Sequence, residues 1–87
     1  MSGPTSGPVT SLAQLDVGER ARVVGVRGGD EISQRLLEMG LTPGVEISLL
    51  GRALLGDPIE IEVRGYRLSV RRSEAERVEV EVIGDNT

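Results

Sequence analysis

The residues of this chain that could do chemistry are carboxylates, hydroxyls, arginines and one tyrosine. The sequence has 87 residues and contains no histidine, cysteine, lysine, tryptophan or phenylalanine. Imidazole, thiol and ammonium groups are therefore missing, and these supply most of the general bases, nucleophiles and Schiff bases of enzymes. The remaining carboxylates and hydroxyls fall in no recognisable catalytic spacing. The sequence thus predicts a protein that is not an enzyme and that carries no cofactor.

Three carboxylates that lie close together in the chain could in principle bind a metal ion. Asp57, Glu60 and Glu62 fall on one predicted hairpin, and the last two share a strand face because side chains alternate along a strand. Exposed carboxylates without imidazole or thiolate make a weak and unselective site for a transition metal. We therefore treat these three residues as weak metal candidates and expect a solvated acidic face in their place.

Contact with another protein is the role that the other side chains suit best, because flexible apolar groups, arginine and tyrosine are common in interfaces. The candidate contact residues are Arg35, Leu37, Met39, Leu54, Leu55, Tyr66 and Arg67. Met39 could instead be core, since it continues the apolar stripe of a predicted helix, whereas Leu37 lies off that stripe. Arg35 could simply pair with Glu31 one turn earlier. Tyr66 could be a packing residue at a hairpin tip.

A local basic cluster is formed by Arg64, Arg67, Arg71 and Arg72 in a chain whose net charge is −4. The cluster could face an acidic partner surface, or it could balance the glutamates of neighbouring strands. The negative net charge and the single aromatic residue give nucleic acid neither an electrostatic footprint nor a stacking platform. We therefore expect no nucleic-acid partner. Nucleic-acid binding by a small barrel and self-assembly through strand edges remain the rival hypotheses.

The sequence predicts one domain, which lies between two polar segments at the ends of the chain. Residues 1–11 are rich in Gly, Pro, Ser and Thr and predict a flexible leader, and residues 84–87 predict a polar tail, which leaves residues 12–83 as the domain. No apolar run approaches the roughly 20 residues that span a bilayer, and the start lacks the basic and apolar regions of a signal peptide. These features predict a soluble, cytoplasmic protein.

Inside this domain, the apolar spacing predicts one short helix and several strands. Asp30 suits a helix N-cap, Glu31 to Met39 carry apolar residues at helical spacing, and Gly40 suits the C′ position. Alternating apolar residues predict strands in the segments 21–26, 45–49, 59–63, 68–70 and 78–82. Short strands with little potential for parallel crossovers favour an all-β fold, a small SH3-like antiparallel barrel of about five strands capped by the helix.

The middle hairpin also allows a prediction of register. Gly65-Tyr66 reads as a two-residue turn with glycine first, as a type II′ turn requires. Counting outward from this turn predicts the pairs Val63–Leu68, Ile61–Val70 and Glu60–Arg71. These pairs set apolar residues opposite apolar residues and an acid opposite a base.

Four stretches of this sequence, in this order and spacing, resemble the FeoA family of bacterial iron-transport accessory proteins. They are residues 28–29 (GG), 35–44 (RLLEMGLTPG), 56–61 (GDPIEI) and 63–75 (VRGYRLSVRRSEA). The resemblance extends from Leu12 to Val82. One departure is that Ala53 is followed by Leu54-Leu55-Gly56, where the family commonly has a proline in this loop.

The resemblance implies an SH3-like barrel that assists FeoB, the GTP-dependent membrane transporter of ferrous iron, from the cytoplasmic side. It also implies a family-level association with transition metal ions. Accordingly, the expected partner is the cytoplasmic part of a FeoB-type transporter, and the expected contact with the membrane is through that transporter alone. The chain itself is expected to be a monomer or a weak homo-oligomer.

Overall fold

The computed structural model describes residues 9–83, and these residues form a β-rich domain. Its strands are β1 (Val9–Ser11), β2 (Arg20–Val26), β3 (Glu46–Arg52), β4 (Ile59–Val63), β5 (Tyr66–Val70) and β6 (Val78–Val82), and its helices are α1 (Glu31–Glu38) and α2 (Arg72–Ala75). Short 3₁₀ turns occupy Leu12–Gln14 and Leu54–Gly56. Within residues 9–83, no helix has the length and apolar character needed to cross a bilayer.

The six strands found in residues 9–83 form one antiparallel sheet in the order β1-β6-β2-β3-β4-β5. The buried side chains of β2 to β6 belong to one hydrophobic cluster, which also contains Leu36 of α1. A flat sheet of six strands would be about 24 Å wide from edge to edge and would leave an apolar face in water. The sheet instead wraps around one core, which confirms the predicted β-rich antiparallel fold with a short helix.

Strand β1 is a departure from the prediction that residues 1–11 form a leader. Val9, Thr10 and Ser11 pair with Glu81, Val80 and Glu79 of β6. The apolar content of this segment is low, so local composition gave no sign of a strand, and its order comes from backbone hydrogen bonds to β6. Residues 1–8 and 84–87, where the rest of the leader and the tail were predicted, lie outside the described residues.

The β4–β5 hairpin is shifted by two residues from the predicted register. The observed partners are Ile59–Val70, Glu60–Ser69, Ile61–Leu68, Glu62–Arg67 and Val63–Tyr66. The turn is therefore Arg64-Gly65, and both residues have positive φ, 51° and 88°, as a type I′ turn requires. The predicted turn at Gly65-Tyr66 and the predicted pairing of Glu60 with Arg71 are both wrong.

Helix α1 begins at the predicted cap. The Asp30 carboxylate accepts a hydrogen bond from the backbone N–H of Ser33 at 3.1 Å. It also accepts one from Nη1 of Arg77 at 2.6 Å, which ties the start of the helix to the segment before β6. The Arg77 guanidinium, followed by the Ser33 N–H, lowers the pKa of Asp30 below its ordinary value of 3.8. Both contacts favour the charged form of this side chain.

Substitutions at Asp30 should separate the cap from the ion pair. At neutral pH we expect thermal stability to fall in the order wild type, Asp30→Asn, Asp30→Ala, because asparagine keeps the capping oxygen and alanine removes it. Since the folded-state pKa is lowered, the stabilisation by the wild-type carboxylate is present above pH 3.8 and is lost as the pH falls through the folded-state value. Melting curves followed by circular dichroism at pH 7 and below pH 4 test this. An acid-induced loss of stability that is equally large in Asp30→Asn would contradict it.

Candidate partner-binding site

An open groove of about 510 Å³ runs between α1, β5, the loop before β4 and α2. Its lining residues are Arg35, Met39, Asp57, Pro58, Ser69, Arg71 and Glu74. The volume falls within the range of about 300–1,000 Å³ that is usual for binding pockets. Two of the predicted contact residues, Arg35 and Met39, lie side by side here because they are four residues apart on one helix face.

The Arg35–Glu74 ion pair closes the end of the groove where α1 meets α2. The Arg35 guanidinium donates to the Glu74 carboxylate. This replaces the expected pairing of Arg35 with Glu31 one turn earlier. The Glu74 side chain is the more buried partner, at 12% exposure against 56% for Arg35. The pair therefore fixes the position of the Arg35 side chain along the groove wall.

Tyr66, the first residue of β5, contacts the groove residue Met39 just after the end of α1. Its hydroxyl donates to the backbone carbonyl of Met39 at 3.1 Å, although 46% of the residue is exposed. Gly40 follows Met39 with a φ of 111°, and a Cβ atom there would lie 2.8 Å from the Tyr66 hydroxyl. A side chain at position 40 would thus strain the backbone and displace Tyr66.

The loop before β4 is attached to α2 through Asp57. The Asp57 carboxylate accepts a hydrogen bond from the backbone N–H of Arg72, the first residue of α2, at 3.0 Å. This contact satisfies one of the free N–H groups at the start of that helix. The Asp57–Pro58 peptide bond is cis. Asp57 therefore has a structural contact of its own beside the groove.

The predicted metal candidates do not form a metal site in the described part of the chain. Glu60 and Glu62 lie on the exposed face of β4, as predicted. Among residues 9–83, no group of three or more acidic side chains lies close enough together to hold a metal ion. Among the described residues, Asp57, Glu60 and Glu62 therefore offer no cluster for the transition-metal association that the family resemblance implies.

The loop that precedes the groove presents two leucines to solvent. Leu54 and Leu55 are 89% and 96% exposed, more than any other large apolar residue among the described positions. Leu54 comes three residues and Leu55 two residues before Asp57, which lines the groove. Leu55 also has a φ of 67°, a left-handed conformation that leucine rarely adopts. Exposed apolar groups next to a groove are typical of a contact surface.

Three arginines of the described residues have no acidic or hydrogen-bonding partner, and all three lie in or just after the β4–β5 hairpin. They are Arg64, Arg67 and Arg71; the other arginines form ion pairs or, in Arg52, donate to backbone carbonyls. Glu62 stands opposite Arg67 in the sheet, but no salt bridge forms between them. Arg72 of the predicted basic cluster pairs with Glu76 instead. Of the three arginines, Arg71 lines the groove, and Arg64 and Arg67 come before it in the hairpin.

Leu37 is separated from the groove by the geometry of α1. It is 37% exposed, in agreement with its position off the apolar stripe. At about 100° per residue, it points roughly 160° away from Arg35 on one side and from Met39 on the other. The structure therefore places Arg35 and Met39 in the groove and Leu37 on another face of α1. The other four predicted contact residues lie outside the groove lining; they are Leu54, Leu55, Tyr66 and Arg67.

Three groove residues that the sequence analysis did not single out are Pro58, Ser69 and Glu74. Glu74 is 39 residues from Arg35 in the chain, so no local spacing could have paired them. For Ser69 alone, the sequence indicated exposure to solvent, because this residue takes an outward position in the alternation of β5. That signal does not distinguish a groove residue from any other exposed strand residue.

Comparison with known proteins agrees with the resemblance in the sequence. A model of the FeoA domain matches residues 10–82. The Fe(2+) transport protein A/Fe(2+) transporter FeoB fusion protein of Porphyromonas gingivalis is 37% identical to this chain over 75 residues. That alignment covers 86% of this chain and only 9% of the fusion protein, so the chain corresponds to a small part of it.

Solved structures show the same architecture. A FeoA-like protein from Clostridium acetobutylicum, determined by NMR, is similar with a TM-score of 0.83 and 33% identity over 97% of this chain and 95% of its own. The crystal structure of Stenotrophomonas maltophilia FeoA complexed with zinc has a TM-score of 0.73 and 32% identity, covering 82% and 88% of the two chains. That protein is described as a prokaryotic SH3 domain protein, and the likeness confirms the predicted SH3-like fold.

Proposed function

The chain belongs to the FeoA family, which is associated with ferrous iron transport, and we propose that it is a non-catalytic accessory protein that binds a FeoB-type transporter from the cytoplasmic side. The observation that carries the proposal is the Porphyromonas gingivalis relative, in which a matching segment and a FeoB transporter share one polypeptide. Fusion holds two domains at a high effective concentration, which favours contact between them. We infer that the same contact forms between this chain and a FeoB-type transporter.

The groove and the loop beside it supply the contact surface in this proposal. Leu54 and Leu55 expose apolar surface to water. Covering this surface with a partner would stabilise the complex. Arg71, which lines the groove and has no salt bridge among the described residues, attracts acidic groups and orients the partner. The relative from Stenotrophomonas maltophilia is described as a candidate activating factor of ferrous iron transport, and contact through this surface suits such a modulating role. Iron itself is the cargo of the transporter.

The test is direct binding to the intact transporter. The purified chain is titrated against the FeoB-type transporter of the same organism in lipid nanodiscs, with and without guanine nucleotide. We expect saturable binding with a Kd of about 1 μM or tighter, given a surface of standard size. A difference between the nucleotide states would identify the state that is recognised. Absence of binding in every state would overturn the proposal.

The Leu37→Glu substitution tests whether the outer face of α1 belongs to the same surface. The sequence predicts a partner contact at Leu37, but the helix geometry separates this residue from the groove. We therefore expect Leu37→Glu to fold normally and to bind the transporter within about twofold of wild type, as exposed positions outside an interface do. Binding titrations and circular dichroism check both points. A tenfold loss of affinity in a folded variant would extend the contact surface to this face.

A further inference from the structure

Strand β5 is an edge strand of the described sheet, and its outer edge borders the groove. In the strand order it stands last, with β4 as its hydrogen-bonded neighbour. Ser69 of β5 and Arg71 just after it line one wall of the groove, and Arg35 and Met39 of α1 line the other. An open edge of this kind exposes backbone groups that can pair with another chain.

The hairpin register shows which backbone groups of β5 face outward. A type I′ turn at Arg64-Gly65 makes Val63 and Tyr66 a hydrogen-bonded pair. In an antiparallel ladder, hydrogen-bonded and non-hydrogen-bonded pairs alternate. The pairs Glu62–Arg67 and Glu60–Ser69 are therefore non-hydrogen-bonded, and the N–H and C=O groups of Arg67 and Ser69 point away from β4.

Within residues 9–83, these outward groups have no partner outside the sheet. Neither Arg67 nor Ser69 takes part in the backbone hydrogen bonds of the turns, loops and caps, or in a side-chain hydrogen bond. The neighbouring helices therefore do not cover this edge, and the groove leaves space along it. An extended peptide could satisfy the groups by adding one strand, which is a common mode of peptide recognition.

The charge along this edge identifies the chemistry of the added strand. Three arginines lie before, within and after β5, namely Arg64, Arg67 and Arg71. They are the described arginines whose side chains have no acidic or hydrogen-bonding partner. The chain as a whole is acidic, with a net charge of −4. A second copy that presented the same edge would set arginines against arginines and be repelled, whereas a separate acidic segment would be attracted. The exposed Leu54 and Leu55 offer apolar contacts beside the same groove.

We propose that an extended, acidic segment of the transporter adds to the outer edge of β5 as a further strand, with its carboxylates facing the unpaired arginines. This inference rests on the proposed function, because it names the part of the transporter that the groove receives. The backbone N–H and C=O groups of Arg67 and Ser69 then bind the peptide backbone. The arginines select an acidic sequence and speed its association.

A proline at position 69 tests the strand addition. Proline removes the outward N–H of Ser69, and it is tolerated on an edge strand whose N–H faces solvent. The matched control is Ser69→Ala, which removes the hydroxyl but keeps the N–H. Full-length wild type and both variants are titrated against the nanodisc-embedded transporter. We expect Ser69→Ala to bind as wild type does and Ser69→Pro to bind at least about tenfold more weakly.

Charge reversal tests the acidic character of the segment. Arg67→Glu is expected to weaken binding at least about tenfold, and to make the remaining binding less sensitive to salt. Equal affinity of Arg67→Glu and wild type at low ionic strength would overturn the assignment of an acidic segment. Equal affinity of Ser69→Pro and wild type would overturn the added strand while leaving the proposed function in place. Failure of the wild type to bind would overturn both.

Hydrogen exchange provides a second measurement if Ser69→Pro does not fold. In the free wild-type chain, the amides of Arg67 and Ser69 should exchange rapidly, since they point out of the sheet. Saturating transporter should slow their exchange in the peptic fragment that spans β5. Unchanged exchange of this fragment in a saturated complex would overturn the added strand.

Discussion

The double substitution Leu54→Ser/Leu55→Asn is expected to weaken transporter binding by about tenfold to a hundredfold without lowering the stability of the domain. Both leucines are almost fully exposed, so they contribute little to the core. If they contact the transporter, their removal takes away buried apolar area from that interface. Affinity should therefore fall while the fold stays intact.

The same variant should be slightly more stable than wild type. Leu55 has a φ of 67°, and a left-handed conformation costs leucine about 1–2 kcal/mol. Asparagine tolerates this conformation better, so the free energy of unfolding should rise by up to about 1 kcal/mol. Binding titrations and denaturant unfolding of the same preparation measure the two effects.

The matched control for this experiment is Val24→Thr. Val24 is another exposed apolar residue of the described chain, but it lies on β2, away from the loop. Its replacement should leave affinity unchanged. If Leu54→Ser/Leu55→Asn binds as tightly as wild type, the loop is not part of the contact surface. If Val24→Thr weakens binding equally, the effect is not specific to the loop.

Leu36→Ala is expected to lower the free energy of unfolding by about 2–5 kcal/mol. Leu36 is the fully buried residue of α1 and packs in the single core cluster. A helix of eight residues is too short to persist alone, so α1 depends on this contact for its position. The loss is large beside the roughly 5–15 kcal/mol that stabilise a typical domain. The groove should lose its α1 wall as the helix detaches.

Leu37→Ala is the control for Leu36→Ala, because it removes the same atoms from the next, half-exposed position. We expect it to cost less than about 1 kcal/mol. Urea unfolding followed by circular dichroism, with the midpoint and the slope reported for each variant, measures both values. Similar losses at positions 36 and 37 would contradict the assignment of Leu36 as the anchor of the helix.

The alternation and caps of the sequence were sufficient to predict several elements closely. Strands β4 and β6 have the predicted bounds, and α1 begins after the predicted cap at Asp30. These features depend on local rules, since side-chain period and capping involve residues a few positions apart. The separation of Leu36 from Leu37 follows from the same helical period, and the exposures of 0% and 37% confirm it.

The hairpin register shows where local rules were insufficient. The observed pairing differs from the predicted one by two residues, and a shift of two keeps every side chain on its face. Apolar alternation is therefore equally compatible with both registers. The register is set by the turn, in which Arg64 and Gly65 both adopt positive φ. Type I′ turns favour Asn, Asp and Gly, so an arginine does not indicate such a turn from sequence.

By itself, the sequence determined the β-rich class of this protein, the position of its helix, the absence of histidine, cysteine and lysine and the resemblance to the FeoA family. The tertiary structure decided which side chains meet. Among residues 9–83, it paired Arg35 with Glu74, placed the Tyr66 hydroxyl on Met39 and left the side chains of Arg64, Arg67 and Arg71 without a salt bridge. The physical reason is chain distance: these contacts join residues up to 39 positions apart, and packing of the whole core brings them together.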